Sequence, residues 1–70
     1  MKKKDITGAE QHYQEALRID PNLAAAHYSY ANLLMNHKKD IAGAELHYME
    51  ALRIDPNLAA AHSNYAVLLC

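Results

Sequence analysis

The stretch Glu15–His27, EALRIDPNLAAAH, returns without a change at Glu50–His62. The offset is 35 residues in a chain of 70, and the two halves are identical at 26 of 35 aligned positions. An internal repeat of this length indicates a stacked repeat architecture, in which each unit buries its apolar face against the next. We therefore predict a single domain, residues 1–70, made of the repeat units 1–35 and 36–70.

In each repeat unit, the sequence pattern predicts two helices joined by a sharp turn. Apolar residues spaced three and four apart precede the Asp-Pro-Asn turn at 20–22, and this spacing is typical of an amphipathic helix. Proline ends one helix and is tolerated in the first turn of the next. Because the connections are short, neighbouring helices should be antiparallel. We expect an all-α helix–turn–helix repeat solenoid segment of four antiparallel helices, at about 5–19, 22–36, 40–54 and 57–69.

Asp5 and Asp40 precede the first and third predicted helices and are suited to cap them. Gly8 and Gly43 lie inside the same helices, where glycine costs about 1 kcal/mol relative to alanine. Because both copies keep this glycine, we expect the Gly-Ala pairs to let another helix approach closely.

The composition excludes several kinds of partner. The net charge of −1 provides no broad basic field for nucleic acid, and Lys2–Lys4 is interpreted as a solvated terminus. No apolar run approaches the ~20 residues that a membrane span needs, and no signal peptide follows Met1, so a cytoplasmic protein is expected. Cys70 is the only cysteine. We expect it to be a buried apolar residue, the alternative being an exposed thiol that links two chains.

Nothing in the sequence indicates catalysis. There is no nucleophile–base pair, phosphate-binding glycine loop or pair of general acids. His12 and His47 recur one repeat apart, as do His27 and His62, and no Cys/His spacing typical of zinc accompanies them. We predict a non-enzymatic protein with no catalytic residue, no metal and no cofactor.

A spaced pattern of small and large residues marks both copies. In the second half it consists of Ala44, Tyr48, Ala51, Leu52 and Pro56, preceded on the second helix by Tyr30, Ala31 and Leu34. This pattern resembles the tetratricopeptide repeat family of stacked helix–turn–helix units. The resemblance implies that helices 22–36 and 57–69 are the family's A helices and the other two its B helices.

The chain departs from that family at three points. His27 and His62 stand where the family often has Trp, and Ala31 and Ala66 replace its usual Gly. The period exceeds the usual value of about 34, and we expect the extra residue in the turn Asn36–Asp40. Pentatricopeptide repeats, which bind RNA, share the longer period, but the segment ALRIDPN does not resemble them.

Among the positions that differ between the copies, Tyr28, Asn32 and Met35 lie on one stripe of the second predicted helix, and Ser63, Val67 and Cys70 are their counterparts on the fourth. In the resembled family this side lines a concave groove that holds peptides, so the resemblance implies a protein or peptide partner. Asn64 stands where some members place an asparagine that bonds a peptide backbone, and Asn32 resembles part of a carboxylate clamp whose lysines have no counterpart here. Alternatively, these positions are exposed and free to vary. The predicted peptide-binding residues are Tyr28, Asn32, Met35, Ser63, Asn64 and Val67.

The end of the sequence continues into its beginning in repeat register. With Met1 placed after Cys70, Asp5 falls where Asp40 stands in the internal repeat. The first and last helices have no hairpin partner within the chain, so we expect a homo-oligomer. It forms either by head-to-tail stacking, which is heterologous, or by opening of the Asn36–Asp40 turn and exchange of helices. The alternative is a fragment of a longer array. The predicted self-association residues are Ile6, Tyr13, Leu17, Leu46, Met49, Tyr65 and Leu69.

The leading hypothesis is a protein-interaction module that binds peptide or protein through its A-helix face. The alternative is a purely structural, self-assembling repeat unit, natural or designed.

Overall fold

The computed structural model describes residues 5–70, so Lys2–Lys4 lies outside the described part of the chain. Within it, α1 (Ile6–Ile19), α2 (Ala24–Leu33), α3 (Ile41–Ile54) and α4 (Ala59–Leu69) follow one another, and each packs against the next. A short π-helix, Leu34–Lys38, extends α2. The predicted all-α segment of four helices is confirmed for these residues.

Aspartate caps both B helices, as expected. The Oδ1 atom of Asp5 accepts a hydrogen bond from the Gly8 amide at 2.9 Å, and Asp40 does the same for Gly43 at 3.0 Å. A Cβ atom on Gly43 would lie only 2.5 Å from Asp40 Oδ2. The glycines therefore make room for the capping carboxylate, a role that the sequence analysis did not predict for them. Close helix packing occurs at Ala44, which is fully buried.

The two A helices begin two residues later than predicted. Asp20 Oδ1 accepts a hydrogen bond from the Asn22 amide at 3.1 Å, and the Asp20 carbonyl accepts one from Leu23 at 3.2 Å. These bonds hold residues 20–23 in a turn, so that α2 starts at Ala24. The same arrangement after Asp55 delays α4 to Ala59.

The π-helix Leu34–Lys38 overlaps the turn in which the additional residue of the 35-residue period is expected. A π turn closes hydrogen bonds one residue later than an α turn, so it takes up one extra residue without breaking the helix. It ends at Lys39, whose backbone is left-handed with φ 56°. The Leu34 carbonyl accepts a hydrogen bond from the Asp40 amide at 2.9 Å, which closes the turn into α3. The helical path of α2 therefore runs to Lys38, beyond the predicted end at 36.

The core lies between α2 and α3. Tyr48 is completely buried, and the alanines around it, Ala31, Ala44, Ala51 and Ala61, are also 0% exposed. Alanine at these positions lets the helix backbones approach while one tyrosine ring fills the space between them. Neither α1 nor α4 shares fully in this core: no residue of α1 is buried, and Ala61 is the only buried residue of α4.

Cys70 is exposed, so the expectation of a buried cysteine is wrong. It caps the end of α4.

Candidate protein-interaction surfaces

Three of the predicted peptide-binding residues meet where α2 and α4 adjoin. Asn64 donates through Nδ2 to Asn32 Oδ1 at 2.9 Å and to the Tyr28 hydroxyl at 3.4 Å. The Tyr48 hydroxyl, from α3, donates to the same Asn32 oxygen. Burial raises the pKa of Tyr48, with a smaller contribution from Tyr28, so its hydroxyl stays protonated and able to donate at neutral pH. The Asn32 carbonyl therefore holds the Asn64 side chain of α4 beside α2 and also accepts from the hydroxyl of the buried Tyr48.

The other three predicted residues lie in different surroundings. Ser63 and Val67 are exposed on α4, Val67 to 63%. Met35 is half-buried in the π-helix and packs against the core. We define the α2–α4 face as the surface formed by Tyr28, Asn32, Ser63, Asn64 and Val67. This face carries amide, hydroxyl and apolar groups and no charged side chain.

The predicted self-association residues fall on three separate surfaces. On α1, Ile6, Tyr13 and Leu17 are partly buried against the core, as is Tyr65 on α4. Leu46 and Met49 lie on the outside of α3, exposed to 64% and 52%. Leu69 is exposed on α4 to 64%.

A cavity of about 370 Å³ lies between α1 and α2. It brings Ile6 and Tyr13, predicted to mediate self-association, together with Asn32, predicted to bind peptide. Sequence analysis did not identify the cavity itself. A usable signal was present, because Ala9 and Tyr13 are identical in type to the core residues Ala44 and Tyr48 of the second copy. The full lining is Asp5, Ile6, Ala9, Tyr13, Ser29, Asn32, Leu33, Asn36 and His37.

Two histidines form a pair between α2 and α3. His27 is only 8% exposed, and its Nε2 atom lies 3.0 Å from the Pro21 carbonyl oxygen. Since a carbonyl only accepts, His27 Nε2 carries the proton, and its Nδ1 atom accepts from His47 Nδ1 at 3.0 Å. Burial lowers the pKa of His47, and the neighbouring His27 lowers it further. The site between α2 and α3 therefore favours the neutral form of His47.

The second copy of this arrangement is incomplete within the described residues. His62 repeats the contact of His27, with Nε2 at 3.0 Å from the Pro56 carbonyl. His62 is exposed, as is His12, the equivalent of His47 on α1. Within residues 5–70, no three or more His, Cys, Asp or Glu side chains are grouped as metal ligands.

A polar cluster ties α1 to α2. The Tyr30 hydroxyl donates to one carboxylate oxygen of Glu10 at 2.9 Å, and Lys38 Nζ donates to the other at 3.0 Å. The hydrogen bond from Lys38, and then that from Tyr30, holds the pKa of Glu10 below its ordinary value. This cluster therefore links α1 to α2 and to the π-helix that follows α2.

No helix within residues 5–70 combines the length and the apolar character needed to cross a bilayer.

Neither a search of curated proteins nor one of solved structures returned a match. A family model described as TPR repeat matches residues 1–38, more than half of the chain. The matched part covers α1, α2 and the π-helix, and the second half repeats the same sequence pattern. The chain therefore belongs to the TPR repeat family, whose members are helical protein-interaction repeats.

Proposed function

We propose that this chain is a non-enzymatic protein-interaction module that binds an extended peptide segment on the α2–α4 face. The observation that carries the proposal is the hydrogen bonding of Asn64 to Asn32 and Tyr28. These bonds hold the Asn64 amide in a fixed orientation at the junction of two helices. Since both bonds are made through Nδ2, the side-chain carbonyl can accept from a peptide N–H.

The chemistry of the face selects the kind of peptide. It offers no lysine or arginine to pair with a carboxylate, which argues against an acidic tail as the ligand. Tyr28 and Val67 supply apolar contact area beside the polar Asn64. The proposed partner is therefore a neutral, extended segment with small apolar side chains. The expected cytoplasmic location and lack of a nucleic-acid partner remain part of this proposal and rest on composition.

The test is a selection of random peptides displayed on phage against the wild-type chain, followed by titration of one selected peptide. Replacing Asn64 by alanine should weaken binding about tenfold, because one hydrogen bond to a polar ligand contributes about 1 kcal/mol and the tyrosine and asparagine partners lose their orientation. Gln11→Ala, which removes an exposed amide from α1, is the control and should leave binding unchanged. Equal binding by the Asn64→Ala and wild-type chains would place the peptide elsewhere.

Self-association into a homo-oligomer is the second candidate function. The observation favouring it is the outer stripe of α3, where Leu46 and Met49 lie one turn apart and are more than half exposed. Adjacent apolar side chains of this size on one helix face are typical of contact surfaces. The first copy carries Gln11 and Gln14 at the equivalent positions.

The double variant Leu46→Gln with Met49→Gln is therefore expected to lower association without unfolding the chain. Burial of the two side chains accounts for the expected loss, and glutamine is already tolerated at these positions in the first copy. The measurement is molar mass by light scattering behind a sizing column at several concentrations, with reductant present because Cys70 is exposed. A double variant with the wild-type mass would remove this stripe from the interface.

A further inference from the structure

We infer that the cavity between α1 and α2, called the groove below, binds α4 of a second copy of this chain. The inference rests on the second candidate function, self-association, and assigns to it a contact through α4 that is separate from the Leu46/Met49 stripe of α3. The interface it assigns already exists inside the molecule, between α2 and the second half of the chain.

The internal interface shows how such a groove holds an A helix. There α2 packs on α3 and reaches α4, with Ala44 and Tyr48 fully buried beneath it. The same residue types at the equivalent positions of α1, Ala9 and Tyr13, are only partly buried. Both line the cavity, together with Ser29, which is the equivalent of Asn64. The cavity thus lies where an A helix would continue the repeat.

The matching helix is α4, which repeats the sequence of α2. In α2, Ala31 is 0% exposed and Leu34 is 4% exposed. Their equivalents in α4, Ala66 and Leu69, are both exposed, Leu69 to 64%. The face that α2 buries against its neighbours is therefore the face that α4 leaves in solvent. Placing α4 in the groove of another copy covers both exposed surfaces at once.

The histidines agree with this placement. Inside the chain, His27 on the A helix contacts His47 on the B helix. The junction brings their equivalents together, since His62 lies on α4 and His12 on α1. His62 already makes its carbonyl contact in the same way as His27. His12 and His62, which are exposed within one copy, would therefore contact each other at the junction as His27 and His47 do inside the chain.

One difference sets the strength of the contact. The acceptor Asn32, which receives the hydroxyl of Tyr48, is replaced in α4 by Val67. At the junction the Tyr13 hydroxyl therefore lacks this acceptor, and the contact is weaker than the internal one. Each copy offers one groove and one α4, so the association is heterologous. The molar mass of the assembly should therefore rise with the concentration of the chain.

The experiment uses two variants that block opposite sides of the junction. Ala9→Arg fills the groove, and Leu69→Arg places a charge on the face of α4. Each alone is expected to weaken association at least tenfold by light scattering. Because each variant keeps one intact side, an equimolar mixture should form a complex of two chains and no larger species. Gln11→Arg, on the exposed outer side of α1, is the matched control and should associate as the wild type does.

The outcomes separate this inference from self-association as such. If both single variants keep the wild-type mass, the chains associate through another surface and the groove is not the receptor. If the variants are folded and monomeric but their mixture forms no complex, the pairing of α4 with the groove is overturned. A wild-type chain that stays monomeric at every concentration overturns both. Should circular dichroism show Ala9→Arg unfolded, Ser29→Arg blocks the same groove from the α2 side.

Discussion

Replacing Tyr48 by alanine is expected to abolish cooperative folding of the chain. The side chain is fully buried, stacks on Tyr65 at 5.9 Å between ring centroids, and donates a hydrogen bond to Asn32. Truncating a buried aromatic residue typically costs about 3–5 kcal/mol. A domain of this size has a total stability near the lower end of about 5–15 kcal/mol. One substitution therefore removes most of the free energy of unfolding.

The repeat supplies a matched control for this prediction. Tyr13 occupies the equivalent position of the first copy, stacks on Tyr30 at 5.9 Å and is only partly buried. Tyr13→Ala should therefore cost much less, about 1–2 kcal/mol by the smaller apolar area withdrawn from water. Tyr48→Phe keeps the ring and removes the hydroxyl donor, at a cost of about 1 kcal/mol. Urea unfolding followed by circular dichroism measures all three. Equal losses at the two alanine positions would show that the core is not centred between α2 and α3.

The helices and their order were predictable because the controlling signals are local. The spacing of apolar residues, the capping Asp40 and the helix-breaking Pro21 act within a few residues of each other. The role of Gly43 could not be read in the same way, because its recurrence fits helix packing and cap formation equally well. Only the position of the Asp40 carboxylate beside the glycine shows the role in the cap.

The candidate site was predictable only in part, because its geometry combines three helices. The differences between the copies placed Tyr28 and Asn32 on one stripe and identified Asn64 as a further candidate. These differences did not show that the Asn32 carbonyl accepts a hydrogen bond from Tyr48, since that contact depends on how α3 packs against α2. The cavity could not be predicted for the same reason. The sequence predicts self-association for Ile6 and Tyr13 of α1 and peptide binding for Asn32 of α2, and only the folded chain shows that these residues line one cavity.

Lowering the pH below about 6.5 is expected to destabilise the fold through the pair His27–His47. The folded state depresses the pKa of His47, first by burial and then by repulsion from His27 when that ring is charged, whereas Glu50 and Asp40 act in the opposite direction. A base with a depressed pKa in the folded state is more readily protonated when unfolded. Its contribution is therefore present above the unfolded value of about 6.5 and is lost as the pH falls through the lower folded pKa.

The geometry explains why protonation is unfavourable here. The His27 Nε2 proton is directed at the Pro21 carbonyl, so the only free lone pair of that ring is on Nδ1, which accepts from His47. A proton on His47 goes to Nε2 and leaves its Nδ1–H donating to His27, so the cost is that of placing a positive charge in the partly buried site between α2 and α3. The melting temperature should therefore fall between pH 7.5 and 5, because the unfolded chain takes up this proton more readily than the folded chain does.

The two copies again separate this pair from the other histidines. His47→Gln removes one member of the pair and should flatten the dependence of melting temperature on pH. His12→Gln, at the equivalent exposed position, should leave that dependence unchanged. If His47→Gln keeps the wild-type slope, the acid sensitivity comes from elsewhere in the chain. If only His47→Gln flattens the dependence of melting temperature on pH, His47 is the group responsible. His12 occupies the equivalent position of the first copy but is exposed, so burial between α2 and α3 distinguishes the two histidines.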